Sequence, residues 1–495
     1  MLKVVALSVF QFVAGIGRSS VEFFFLSWVS RQAELLSHSQ ELSLAWGKWT
    51  NHSIQTVADD INSFFSHHFF DKPIAASLAL LSTLWFLFLD WSTTMTDGCC
   101  CGTHGVCHLI GRIAETMSVS EGAKLIPNIP VVEGIPVPPT TSKDEGSWVR
   151  PETADDVNNP ASSRWYLKAQ ASALRSGQYI GMTLHYLASP RPPNPNFTLT
   201  IPSLLSKYKG TFTLQFYTPK GYEEAGKHGK RYPAVVNFHG GGFTIGNGTD
   251  DARFARYILD TCDAVFVSVD YRLAPEYPFP TAVDDAADAL FYIIRQSADL
   301  HIDPMKLATS GFSAGGNIAI TSTLRFHEHL KEIADPENKH SPVPEHKIRA
   351  IATWYPVTDY SVSRAEKRAT CVKPEHTLPP TMTNLFDGSY LYPGDLKMSH
   401  PWLSPSRASD EELKAAIPEN VLVYTCEWDM LQKEGEAFAK RLAADPLNKT
   451  VHHRMIPGVP HGWDKSPDPL RPAIHTQEVY TDCARKLLAI FNAVD

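Results

Sequence analysis

Thr309-Ser310-Gly311-Phe312-Ser313-Ala314-Gly315-Gly316-Asn317 decides the fold. Leu307-Ala308-Thr309 reads as a short buried strand, and Asn317 to Phe326 as a helix. Between them stands Gly-x-Ser-x-Gly with Ser313 at its centre. A serine at the tip of a tight strand-to-helix turn exposes its hydroxyl. The flanking glycines are needed where side chains would collide with the adjoining strand and helix. The helix N-terminus aims free N–H groups and a positive dipole at the same point, where negative charge can be held. Such a pattern arises by chance about 0.15 times in a chain this long, so the rest of the chain must support it.

From Thr211 onward, short apolar runs alternate with helical patterns. Strands are predicted at Thr211–Tyr217, Ala234–Phe238, Ala264–Val269, Lys306–Thr309, Ala350–Tyr355, Val421–Thr425 and Val451–Met455. Helices are predicted at Asp251–Cys262, Ala282–Gln296, Ile318–His329, Glu434–Leu442 and Val479–Asn492. This rhythm specifies an α/β fold, a mostly parallel sheet with helices on both faces. Ligands in such sheets bind at the carboxyl ends of the strands, where the motif loops fall.

A serine hydroxyl is a poor nucleophile at neutral pH. It needs a base, a carboxylate to orient the base, and donors for an oxyanion. The donors are sought in His239-Gly240-Gly241-Gly242-Phe243, just after a strand, where three glycines let N–H groups turn inward. The expected donors are the amides of Gly241, Gly242 and Ala314, with His239 and Gly240 supporting the loop. The lysine of a phosphate-binding loop and the dinucleotide glycine spacing are both absent. Among 20 histidines, His461 follows the last predicted strand and the turn-rich Pro457-Gly458-Val459-Pro460, with Gly462 leaving space beside it. His452 and His453 fall inside that strand and read as structural. The orienting acid should precede the base in chain order. Asp429, after the strand Val421–Thr425, is the candidate; its alternative role is a helix N-cap. Glu427 and Glu434 are the runners-up. No cofactor or metal is implied for this site.

These motifs resemble the hormone-sensitive-lipase family of α/β-hydrolases, carboxylic ester hydrolases that include the arylacetamide deacetylases. The resemblance runs from about Tyr232 to the C-terminus. It includes Asp270-Tyr271-Arg272-Leu273-Ala274-Pro275-Glu276-Tyr277-Pro278-Phe279-Pro280, which is similar to the family's signature after its third core strand. The resemblance implies an α/β-hydrolase fold and a helical cap built from residues 146–207 and the insert Ser361–Pro405. It also implies hydrolysis of small-molecule esters through an acyl-serine. The chain departs from the family at Phe312, usually Asp; at Met430, in a usual Asp-Pro-Leu; and at Trp463, often Phe. None of these removes an atom of the Ser313–His461–Asp429 set. Phe312 does leave open how the residues beside the turn are held. Amide or formamide hydrolysis by the same residues is one alternative. A non-catalytic binding protein of this fold is another, and the presence of His461 counts against it.

The chain has 495 residues, 43% hydrophobic and 20% charged, with a formal net charge of −8 that offers no basic surface to nucleic acid. Residues 1–124 read as a hydrophobic, membrane-associated helical region, 125–145 as a proline-rich linker, 146–207 as cap-like and 208–495 as the catalytic domain. Two apolar blocks within residues 1–30 are each shorter than a span. The candidate transmembrane helix is 74–91, whose uncharged core runs from Ile74 to Leu89. Cys99, Cys100, Cys101, Cys107 and the adjacent histidines have zinc-ligand chemistry but no common zinc spacing. Unmodified thiols are the plain reading, and palmitoylation an alternative. Sequons at Asn51, Asn196, Asn247 and Asn448 favour a luminal catalytic region, whereas palmitoylation would favour a cytosolic one. Single-pass attachment to the endoplasmic-reticulum membrane is the expectation.

Overall fold

The computed structural model describes residues 163–334 and 343–493. The expected membrane region, the proline-rich linker, the Cys99–Cys107 cluster and Asn51 lie outside the described residues. Among the described residues no helix is long and apolar enough to cross a membrane.

Eight strands form one sheet: β1 (Phe197–Pro202), β2 (Thr211–Tyr217), β3 (Tyr232–Phe238), β4 (Val265–Asp270), β5 (Ile302–Phe312), β6 (Ile348–Trp354), β7 (Asn420–Trp428) and β8 (Thr450–Pro460). Their spatial order is β1-β2-β4-β3-β5-β6-β7-β8. β1 and β2 pair antiparallel, β2 runs antiparallel to β4, and the other pairings are parallel. The helices are α1 (Arg164–Leu187), α2 (Tyr222–Lys227), α3 (Ala252–Cys262), α4 (Thr281–Arg295), α5 (Ala314–Ala334), α6 (Arg364–Ala369), α7 (Pro380–Tyr390), α8 (Asp410–Ala416), α9 (Gln432–Ala443) and α10 (Thr476–Asn492).

The apolar runs of the central strands supply two cores, because successive side chains point to opposite faces. Ala234, Val236 and Phe238 of β3 and Val265, Val267 and Val269 of β4 pack into one core with residues of α4, α5 and α9. Val235 and Phe266, one position out of phase, pack into the other with α3 and α10. Both faces are thus covered, as the sequence rhythm requires.

Three expectations are corrected. Phe197–Pro202, inside the stretch expected to be cap-like, is β1 and pairs along its whole length with β2. Its neighbours are prolines, and six residues of alternation carry little signal until an edge is there to accept them. The helix after the turn begins at Ala314 rather than Asn317, although Gly315 and Gly316 are weak helix formers. Packing overrides propensity: a Cβ on Gly315 would lie 1.9 Å from the Phe238 carbonyl oxygen. Finally, Pro457–Pro460 is not a free loop but the end of β8, with an irregularity in its pairing to β7 between Cys426 and Trp428. The two segments expected to form a cap do meet: the Arg164 guanidinium of α1 donates to the carbonyls of Gly388 and Ser389 at 3.2 and 3.1 Å.

Candidate active site

Ser313 sits between β5 and α5 with φ of 54°, a left-handed conformation costly for a side-chain-bearing residue. Its amide donates to the Trp354 carbonyl at 2.8 Å, and its carbonyl accepts the amide of Asn317 at 3.1 Å. The turn closes this tightly only because of its glycines. A Cβ on Gly311 would meet the Gly315 carbonyl oxygen at 2.0 Å, and one on Gly316 the Thr353 hydroxyl at 2.7 Å. The side chain of Asn317 donates to the carbonyls of Val357 and Leu403, both at 2.9 Å, anchoring the first turn of α5.

His461 arrives from the end of β8 with Nε2 2.8 Å from Ser313 Oγ. Its Nδ1–H donates to Asp429 Oδ2 at 2.7 Å. The second oxygen of Asp429 accepts the Leu431 amide at 3.0 Å, so this buried carboxylate has fixed partners on both sides. Asp429 is not an N-cap; Leu431 holds that position in α9. The runners-up are engaged elsewhere. Glu427 accepts the Gly458 amide at 2.7 Å, and Glu434 pairs with buried Lys367 at 2.5 Å. His453 bonds to Thr425 at 3.0 Å, within its strand pair.

The glycine loop lies against the serine turn. A Cβ on Gly240 would stand 3.0 Å from the Phe312 carbonyl oxygen and 3.6 Å from Ser313 Cβ. Gly241 and Gly242 have φ of 111° and 59°, and neither amide donates to a backbone carbonyl among the described residues. The Ala314 amide, first in α5, has no acceptor within its own helix. His239 is fully buried beneath the loop, with Nδ1 2.7 Å from the Gly240 carbonyl and its ring stacked 4.3 Å from Tyr271. Burial pushes its imidazole pKa down, opposed by the nearby Asp270.

Sequence reasoning missed the neighbours of Phe312. The ring is buried and stacks on Trp354 at 5.2 Å. The Lys465 ammonium sits over the ring, 3.7 Å from its centroid. Lys465 is paired with Asp251 at 2.9 Å and Asp464 at 2.6 Å. Asp464 also accepts the hydroxyl of Tyr355 at 2.5 Å and that of Tyr480. The Tyr355 ring, in turn, stands 4.8 Å from His461. The position where the resemblance leads to an acid is instead a buried aromatic ring packed against the Lys465 ammonium. The nearest local signal was the pair Asp464-Lys465 just beyond His461. Phe386 of α7 was missed too: its ring occupies the space a Cβ on Gly242 would need.

The arrangement can take a proton from Ser313, hold the resulting imidazolium, and offer amides to an oxyanion. Comparison with known proteins identifies the fold family. Residues 235–465 match a family model described as the alpha/beta hydrolase fold. An AB hydrolase superfamily protein of Schizosaccharomyces pombe is 30% identical over 264 residues, 53% of this chain and 71% of that one. An arylesterase of Saccharolobus solfataricus is 33% identical over 210 residues, 42% of this chain and 61% of that one. Human arylacetamide deacetylase-like 2 is 27% identical over 326 residues, 56% of this chain and 78% of that one. Among solved structures, a hyperthermophilic esterase from Pyrobaculum calidifontis matches with a TM-score of 0.53 and 26% identity, covering 67% of this chain and 98% of that one.

Proposed function

The chain belongs to the α/β-hydrolase fold family, and from that premise we propose that it is a serine carboxylic ester hydrolase acting on lipophilic esters through Ser313, His461 and Asp429. One observation carries the proposal: a serine oxygen 2.8 Å from an imidazole whose other nitrogen is 2.7 Å from a buried carboxylate. Relatives named arylesterase, lipase and carboxylesterase support the reaction class.

In this reading His461 Nε2 takes the proton of Ser313 as its oxygen attacks the ester carbonyl. Asp429 holds the imidazole in the tautomer that leaves Nε2 free, and stabilises the imidazolium. The Gly241, Gly242 and Ala314 amides receive the tetrahedral oxyanion, each contributing about 10²–10³ in rate. His461 then returns the proton to the departing alcohol, and the acyl group remains on Ser313. Water, deprotonated by His461, attacks the acyl-serine, and the carboxylic acid leaves as Ser313 is regenerated. His239 and Gly240 shape the loop and take no part in proton transfer.

Hydrolysis of p-nitrophenyl acetate and butyrate by the wild type and by Ser313→Ala tests the proposal. We expect the wild type to turn over and the variant to lose about 10³-fold or more in kcat. Equal rates would overturn it and favour a binding protein. Faster cleavage of p-nitroacetanilide than of the acetate ester would transfer the reading to amides. Attachment to the endoplasmic-reticulum membrane, proposed from the run Ile74–Leu89 alone, fails if carbonate extraction releases the full chain.

A further inference from the structure

The outer face of α1 breaks the usual rule that a helix shows charge to water. Of its eleven exposed positions, only Lys168 is charged. Trp165 is 72% exposed, Tyr166 46%, Tyr179 59%, Ile180 41% and Leu184 38%. By contrast, the exposed positions of α10 are Gln477, Glu478, Arg485, Ala489 and Asn492. A row of large apolar side chains held in water on a well-packed helix marks an interaction surface.

We infer that this face of α1 docks onto a lipid–water interface. The distribution of side chains selects that partner. A protein groove would grip a helix by apolar knobs repeating along its length. Here the large side chains cluster at the two ends of the helix, and the middle of the outer face is alanine, serine and glycine. That makes a shallow, flat contact. Three of the five large residues are Trp or Tyr, whose rings carry a polar tip and settle at headgroup depth. α1 contains no aspartate or glutamate, so nothing on it repels anionic lipid, although the whole chain carries a formal −8. The same chain also carries the uncharged run Ile74–Leu89.

Docking here would bear on the catalytic site because α1 is fastened to it. Arg175 Nε donates to the Thr244 carbonyl at 2.8 Å, Tyr186 to the Thr249 carbonyl at 2.6 Å, and Gln178 to Asp250 at 2.7 Å. All three partners lie in the segment that follows Gly240–Gly242, within eight residues of Gly242, and a Cβ on Gly240 would stand 3.6 Å from Ser313 Cβ. A lipid surface bound to the outer face therefore holds the glycine loop and Ser313 close to ester dissolved in that surface. This consequence, though not the docking itself, rests on the ester-hydrolase reading.

The test uses full-length protein with phosphatidylcholine–phosphatidylserine vesicles. Brominated phosphatidylcholine quenches tryptophan in the bilayer, and the difference between wild type and Trp165→Phe isolates Trp165 from the other tryptophans, including any in an inserted N-terminal stretch. We expect that difference to show quenching of Trp165. The triple variant Trp165→Ser/Tyr179→Ser/Ile180→Ser should keep its rate on soluble p-nitrophenyl acetate within about twofold, and lose about tenfold or more on a vesicle-borne ester. An unquenched Trp165 overturns the inference, as does an unchanged vesicle rate. It is equally overturned if the triple variant changes the oligomeric mass in sedimentation, since the face would then bind a second copy. If the wild type hydrolyses no soluble ester, the hydrolase reading fails while the quenching measurement still decides the docking.

Discussion

Replacing Lys465 with methionine tests how the turn around Ser313 is held. Methionine keeps an unbranched apolar stem reaching to the position of the lysine Cε and removes the ammonium. That ammonium pairs with Asp251 at 2.9 Å and Asp464 at 2.6 Å, and both partner side chains are 0% exposed. Without it, two carboxylates remain buried beside each other. Removing one partner of a buried pair costs about 3–5 kcal/mol. Because the Lys465 side chain is 20% exposed, water can reach the gap, and the lower end, about 3 kcal/mol, is the reasoned figure. At about 2 °C per kcal/mol for a domain of this size, Tm should fall by about 6 °C at pH 8. The sign of the pH dependence follows from Asp251. Burial already raises its pKa, and loss of the lysine removes the largest opposing influence. The folded variant therefore binds a proton more tightly than the unfolded chain, and its stability deficit shrinks as pH falls from 8 toward 5. Adding Asp251→Asn should recover part of the loss, since the amide oxygen can still accept from Asn237, which donates to Asp251 at 2.7 Å. Differential scanning fluorimetry of wild type, single and double variants at both pH values reads all of this. A Tm change under about 1 °C, or an equal loss at pH 5 and pH 8, would refute the electrostatic account.

Gly315→Ala should lower kcat/KM by about 10²-fold or more, because its Cβ would sit 1.9 Å from the Phe238 carbonyl oxygen and force the turn off the sheet. Gly177→Ala on α1 has nothing within 4 Å and should stabilise by up to about 1 kcal/mol; denaturant titration of both variants checks the contrast. Asp429→Asn should reduce kcat by about 10³–10⁴-fold, whereas Glu427→Gln, whose carbonyl can still accept the Gly458 amide, should stay within about threefold. Asp250 is pushed up to about 7, chiefly by burial and then by Asp251. Its ionisation therefore opposes folding: stability is lost as pH rises from the ordinary value of 3.8 through about 7. Asp250→Asn should match the wild type near pH 3.5, exceed it by at most about 2 kcal/mol at pH 5, and exceed it by at most about 4 kcal/mol at pH 8.5, measured by urea unfolding.

Local chemistry was enough for the parts of the site whose geometry is local. Ser313 needs glycines two residues to either side, and the amides of Gly241 and Gly242 need a loop without side chains; both requirements are written in adjacent residues. The strand cores were legible for a similar reason. A strand buried on both faces must be largely apolar, as Val265–Val269 is apart from the buried Ser268, whatever lies beside it. The choice of Asp429 over Glu427 was of another kind. Both acids end the same strand, and only the pairing of β7 with β8 turns one toward His461 and the other toward Gly458. β1 is a strand because β2 offers it an edge. α5 begins at Ala314 because the Phe238 carbonyl excludes any side chain at Gly315. The ammonium over Phe312 belongs to a residue 153 positions later and is held by one 61 positions earlier, spacings read from the chain numbering. Sequence determines what a residue can do chemically and where its immediate neighbours allow the backbone to turn. Which distant charge or edge comes to lie against it is decided by the packing of the whole sheet, since the free energy of such a contact exists only once both surfaces have left water.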